Sequence, residues 1–258
     1  MRFFFFILFP GILLIGLSSC FSQPTPLPLL PTDTISPSQT PTPTIVWFPA
    51  TATYTPLPTI TAPVTPTVYI EPVYGSLILA DDFSDPTLWT LGRTSMGNLA
   101  LGENELTLVV TQPEGYLFSL RKDTILRDFY LEITASPSIC RGEDEYGLLL
   151  RVSPSLDLYR FSLSCNGQAR VDRLLAGQAS SPQPPTWSWA IPPGAPSTSR
   201  LAVWAAGKEM RFYANDTYLF TVQDPVLRSG GFGVFTRAAG EDSVTVNFSK
   251  LEIYETSE

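Results

Sequence analysis

The side chains equipped for chemistry in this 258-residue chain are arginines, aromatics and a few carboxylates, because histidine is absent. That absence removes the commonest general base and metal ligand, and no GxSxG, HExxH or phosphate-binding loop stands in for it. Arg151, Arg160 and Arg170 carry planar guanidinium forks suited to bidentate partners. Trp187, Trp189 and Tyr213 offer aromatic faces. Forked hydrogen bonds and stacking surfaces are the two contact types that hold sugars, so these six residues are the candidate ligand-binding set. Asp82 and Asp85 supply hard carboxylate oxygens of the kind calcium takes, and a structural calcium is the one cofactor they suggest.

The elements that must position these residues read as strands. Ser76 to Ala80, Asn104 to Thr111, Tyr116 to Arg121, Phe129 to Ala135, Tyr146 to Val152, Leu158 to Cys165 and Ala169 to Leu174 are short, partly alternating apolar segments separated by turn residues. No window holds a 3.6-residue period, so the class is all-β, a sandwich of two antiparallel sheets. In one hairpin, a four-residue loop Ser153-Pro154-Ser155-Leu156 pairs Val152 with Asp157 and sets Leu150 against Tyr159 in the core. Arg151 and Arg160 then become diagonal neighbours on the solvent side, roughly 7 to 8 Å apart. If Gly167 supplies a left-handed bulge after Asn166, Arg170 and Asp172 join that face, where Asp172 can neutralise one arginine. The unneutralised arginine would favour uronic or otherwise acidic ligands. A second hairpin turns at Gly207-Lys208, burying Val203, Ala205, Met210 and Phe212 while Trp204 and Arg211 meet outside. From Ala176 to Ser199 six prolines surround Trp187 and Trp189, which predicts a long, functional or disordered loop.

Upstream of the strands the chain changes character. Residues 3–17 form an apolar run after Met1-Arg2, too short to span a bilayer comfortably, and Ser18-Ser19 precede Cys20. The arrangement Leu17-Ser18-Ser19-Cys20 resembles the bacterial lipobox. The resemblance implies a signal peptide over 1–19, acylation of Cys20 and attachment to membrane lipid on the extracytoplasmic face, because several acyl chains anchor stably where one is marginal. Phe21 rather than Asp follows, which leaves the choice between cell membrane and outer membrane open. Residues 21–72 then hold 13 Pro and 13 Thr with only Asp33 and Glu71 charged. Such a stretch buries no core and reads as a disordered spacer, so the expected division is leader 1–19, acylated Cys20 and linker 20–74, folded domain 75–258. With Cys20 acylated, Cys140 and Cys165 remain as an even pair outside the reducing cytosol, and a disulfide is expected. The folded part has 15 basic against 22 acidic residues, which argues against a nucleic-acid partner.

Four segments carry a family resemblance: Asp81-Asp82-Phe83-Ser84-Asp85-Pro86 with Trp89, the run Arg211 to Phe220, Gly231-Phe232-Gly233-Val234-Phe235, and Val246 to Ile253. Together they look like the concanavalin A-like lectin/glucanase superfamily, nearest its laminin-G-like and 3-keto-disaccharide hydrolase-type domains, over nearly all of residues 76–255. The resemblance implies a jelly roll with a concave sugar-binding face, and a calcium near the joined termini as in related domains. Glucanase relatives set two glutamates about an aspartate at alternating strand positions, since retaining hydrolysis needs carboxyls roughly 5 Å apart. Glu143-Asp144-Glu145 lacks that alternation and reads as a solvated acidic turn. Three functions stay open: a non-catalytic carbohydrate-recognition module, a structural or protein-interaction domain of the envelope, and a glycan-acting hydrolase.

Overall fold

The computed structural model describes residues 70–256; the leader, Cys20 and nearly all of the linker lie outside the described residues. Fifteen strands form two antiparallel sheets, β1 Tyr74–Asp81, β2 Gly92–Thr94, β3 Gly97–Leu101, β4 Leu106–Val110, β5 Tyr116–Leu120, β6 Phe129–Ile139, β7 Glu145–Val152, β8 Leu158–Ser164, β9 Gln168–Leu175, β10 Gln178–Trp187, β11 Ser199–Ala206, β12 Glu209–Ala214, β13 Thr217–Gln223, β14 Gly231–Arg237 and β15 Val244–Thr256. The larger sheet runs β13-β12-β11-β6-β15-β4-β3-β2, with β1 also paired to β15; the smaller runs β10-β9-β8-β7-β14-β5. This is the two-sheet antiparallel sandwich that the strand pattern predicts and the jelly roll that the family resemblance implies.

Period-two alternation sets what each sheet buries. Leu131, Ile133, Leu201, Val203 and Phe212 from the larger sheet meet Leu148, Leu150, Phe161, Val171 and Val234 from the smaller in one core. Phe161 and Phe212 join the layers, ring centroids 4.8 Å apart, and truncating either to Ala would cost about 3 to 5 kcal/mol. The Cys140–Cys165 disulfide adds a covalent link, Cα atoms 5.9 Å apart, between the end of β6 in one sheet and the end of β8 in the other.

The second hairpin has the expected register, Val203 against Phe212, Ala205 against Met210 and Trp204 against Arg211. Its guanidinium sits 4.2 Å above the Trp204 ring. The next turn, Asn215-Asp216, holds both residues at positive φ, as a two-residue turn between right-twisted strands requires.

Two expectations are corrected. The proline-rich stretch is not a loop throughout: Gln178–Trp187 pairs with β9 as an edge strand. Proline has no N–H to give a ladder, yet an edge strand asks for donors on one side only, and register shifts between Ser180, Gln183 and Thr186 absorb the rest. The first hairpin keeps the expected register through Leu150 against Tyr159 and then slips. Arg151, at φ 51°, is an extra residue in β7: Ser153 N bonds Asp157 O, and on the other side Gly231 opposes Val152 while Gly233 opposes Leu149. This bulge reverses the side-chain faces beyond it. Val152 therefore leaves the main core and packs with Leu149, Leu158 and Phe235 on the outer face of the smaller sheet.

Candidate functional site

The outer face of the smaller sheet carries a continuous row of alternating charges. Arg160 on β8 and Asp172 on β9 are cross-strand partners, Nη2 to Oδ2 2.6 Å. Arg170, two residues before Asp172, brings its Nε within 3.2 Å of the same oxygen and within 3.0 Å of Glu145 Oε1, and its Nη2 donates to Glu145 Oε2 at 3.1 Å. Arg237 on β14 closes the row, Nη1 donating to Glu145 Oε2 at 3.3 Å. Ser181 on β10 donates to Asp172 Oδ1 at 2.5 Å. Burial works against the charge of Arg160, but the bond to Asp172 holds its pKa above the ordinary value. Each carboxylate thus lies within ion-pair distance of two guanidiniums, Asp172 of Arg160 and Arg170, and Glu145 of Arg170 and Arg237.

Beside Arg160 the face becomes aromatic. Its guanidinium carbon lies 5.9 Å from the Tyr116 ring centroid and 5.7 Å from that of Phe235, and these two rings stack at 5.5 Å. Burial pushes the Tyr116 hydroxyl up to about 12 against the pull of Arg160, so it stays a neutral donor at ordinary pH.

At the other end of the row a depression of about 120 Å³ opens among Glu143, Ser162, Asn166, Gln168, Arg170 and Arg237. It is smaller than the ~300 to 1,000 Å³ of pockets that enclose whole ligands, so it accepts one edge of a molecule lying along the sheet. Ser162, paired in register with Arg170, is 1% exposed, and its hydroxyl has no hydrogen-bond partner among the described residues. Trp187 stands opposite Gln168, a residue of the depression's lining, in the β9–β10 pairing and is 64% exposed. Trp189, 76% exposed, follows two residues later.

Of the six residues singled out for ligand binding, Arg160, Arg170 and Trp187 come together here, with Trp189 nearby along the chain. Arg151 does not. It is 1% exposed, donating from Nη1 to Leu227 O at 2.8 Å and from Nη2 to Arg127 O at 3.2 Å, because the bulge removes it from the face that Arg160 occupies. Burial lowers its pKa. The expected diagonal pair, with Asp172 neutralising one arginine and the other left for a ligand, is therefore absent: Arg151 is buried and Arg160 takes Asp172, which removes the argument for an acidic ligand. Tyr213 lies on the outer face of the other sheet, 2% exposed and packed with Tyr130 and Ala202. The acidic turn is only partly solvated: Glu143 is exposed, but Asp144 and Glu145 are buried. Asp144 accepts from the Arg141 and Ala239 amides at 2.9 Å each, and Glu145 opens β7.

Asp82 Oδ1 accepts from the amide and hydroxyl of Ser84, and Asp85 Oδ1 from those of Thr87, capping a short 3₁₀ turn. These bonds hold both carboxyls below their usual range. Among the described residues no group of three or more Asp, Glu, Cys or His side chains gathers at these two carboxylates or elsewhere.

Sequence reasoning missed Glu145, Arg237, Tyr116 and Ser162. The signal was alternation: Glu145 shares a face with Gly147 and Leu149, and Arg237 with Phe235, but which face looks outward depends on the partner sheet.

No family model matches the chain, and no curated protein does. Solved structures do match in fold. A protein with a galectin-like fold from Bacillus subtilis, described as of unknown function, superimposes with a TM-score of 0.54 at 12% identity, over 70% of this chain and 97% of that one. The catalytic domain of an endo-1,3-β-glucanase (laminarinase) from Thermotoga petrophila gives 0.53 at 8% identity, over 72% and 100%. An endo-acting O-glycanase from the human gut microbiota gives 0.52 at 12% identity, over 70% and 100%. At such identities the likeness defines the fold, a concanavalin A-like and galectin-like β-sandwich.

Proposed function

We propose that this chain is a membrane-anchored extracytoplasmic lipoprotein presenting a non-catalytic carbohydrate-recognition sandwich. The observation that carries the recognition reading is the buried, unpartnered Ser162 hydroxyl in the depression beside Arg170 and Arg237. A buried polar group without a partner costs about 1 to 3 kcal/mol, and a ligand hydroxyl recovers that loss. Trp187, exposed and paired with the lining residue Gln168, supplies the apolar stacking surface that a sugar ring needs.

Two further points support this reading. Solved structures sharing the fold include a laminarinase domain and an O-glycanase, which act on glycans as their names state. Glu145 and Asp172 are each held by two guanidiniums, so neither is free to pass a proton to a glycosidic oxygen, which favours binding over hydrolysis. Arg160, Arg170 and Arg237 are paired with Asp172 and Glu145, and the exposed carboxylate of Glu143 also lines the depression, so three cations stand among three carboxylates and the face suits neutral glycans better than acidic ones.

The full chain applied to an array of neutral and uronic glycans is expected to retain a subset with a linkage preference. Arg170→Ala is expected to abolish that retention. Retention of nothing, or turnover of a retained oligosaccharide, overturns the reading. The anchor rests on Leu17-Ser18-Ser19-Cys20 and the apolar run before it. Cys20→Ala is expected to move the chain from the membrane fraction to the soluble one, and continued partitioning through a cleaved, unacylated terminus would refute lipid attachment.

A further inference from the structure

The larger sheet also carries an outer face, and its chemistry differs from that of the charge row. Glu132 on β6 and Glu252 on β15 are direct cross-strand partners, and so are Tyr130 and Tyr254 two positions away. The alternation that buries Leu131 and Ile253 between the sheets turns all four outward. Like charges set directly opposite one another destabilise a sheet. Arg200 answers Glu132, Nη1 3.3 Å from Oε1, while its other terminal nitrogen pairs with Asp216. Glu252 takes part in no ion pair among the described residues; its bond is with the Tyr254 hydroxyl, which donates to Oε2 at 2.7 Å. Tyr130 donates likewise to Glu132 Oε2 at 2.9 Å.

Aromatic rings wall these carboxylates. Tyr74 stacks on Tyr130 with centroids 4.4 Å apart and planes 3° from parallel, and meets Tyr254 at 4.8 Å. The Val73 carbonyl, accepting from Trp204 Nε1 at 3.1 Å, fastens this segment to the sheet. Tyr213 lies within the groove lining, nearly fully buried, and its hydroxyl is unpartnered among the described residues. The groove measures about 740 Å³, and its lining carries Glu71, Glu132, Glu252 and Asp216 against the single cation Arg200.

We propose that this groove binds an alkylammonium cation, with its charge between Glu132 and Glu252 and its methyl or methylene groups against the Tyr74 and Tyr254 rings. The excess of carboxylate selects positive charge. The aromatic faces select an organic cation, since ring quadrupoles attract ammonium groups and a hard metal ion demands a close shell of oxygens. No such cluster of three acidic ligands exists among the described residues. The site is separate from the glycan face and does not depend on it.

The test titrates the full chain with tetramethylammonium chloride and with spermidine, following heat and tyrosine fluorescence, with potassium chloride at equal ionic strength as reference. Saturable binding of either cation, beyond any response to potassium, is expected. Glu252→Gln and Tyr74→Ala should each weaken it roughly tenfold, while Arg170→Ala on the opposite sheet leaves it unchanged. Tyr74 is half exposed and the glutamine keeps the shape of Glu252, so both variants should melt within a few degrees of the parent. A response equal to that of potassium, or binding that survives both substitutions, overturns the proposal.

Discussion

Arg151 and Leu227, 76 residues apart in sequence, are joined by a hydrogen bond of 2.8 Å from the guanidinium Nη1 to the backbone carbonyl. The same side chain donates to the Arg127 carbonyl, so one buried cation ties β7 to two connecting segments. It takes part in no ion pair among the described residues; backbone dipoles carry its solvation. Hydrogen bonds from charged groups are worth about 1.5 to 3 kcal/mol each. Arg151→Ala is therefore expected to destabilise the domain by roughly 3 kcal/mol or more, read as a shifted urea midpoint. Arg151→Lys should recover little, since an ammonium on a flexible stem does not fork to two carbonyls. A midpoint unchanged by Arg151→Ala would show that the bonds contribute nothing net.

Trp187 offers the opposite case. With most of its indole in solvent, Trp187→Ala should leave the unfolding free energy within about 0.5 kcal/mol of the parent. Glycan retention should fall by about 1 kcal/mol or more if the ring stacks on a sugar. Calorimetry alongside the glycan array separates the two readouts, and a drop in stability without a change in retention would make Trp187 a structural residue.

Reduction of the Cys140–Cys165 bridge frees a loop of 25 residues, worth roughly 3 to 4 kcal/mol in the chain-entropy model. Because the bridge links the two sheets, dithiothreitol should lower the melting temperature without abolishing the β-sheet signal. Alkylation of the unreduced protein should label neither cysteine; labelling of both would refute the bridge.

Asp224 gives a pH dependence with a definite sign. Burial alone would raise its pKa, but the Val226 amide, the Tyr159 hydroxyl and the Arg173 guanidinium outweigh burial and hold it below the ordinary 3.8. A carboxyl depressed in the folded state adds stability above its unfolded pKa, and that stability is lost as pH falls through the folded value. Urea midpoints should therefore drop below about pH 4, and Asp224→Asn should flatten that acid limb while lowering the plateau above it. An unchanged acid limb in the variant would assign the transition to other carboxylates.

Alternation and turn chemistry determined much of this protein in the sequence itself. They specified an all-β sandwich, the Gly207-Lys208 hairpin with Val203 against Phe212, the approach of Trp204 to Arg211 and the placing of Asp172 on the face of Arg160, while the cysteine count gave the bridge. All but the bridge are period-two or neighbouring-strand relations, which local spacing encodes. Tertiary structure decided the rest. A single extra residue at Arg151 reverses every face beyond it, and nothing in Leu150-Arg151-Val152 announces where a bulge will form, because the bulge answers β8 and β14 together. The prolines of β10 became an edge strand only because β9 presented an open ladder. Glu145 and Arg237, 92 residues apart, meet because β7 and β14 are neighbours in the sheet. Strand order is set by burial of the whole core, a property of all the strands at once that no single segment contains.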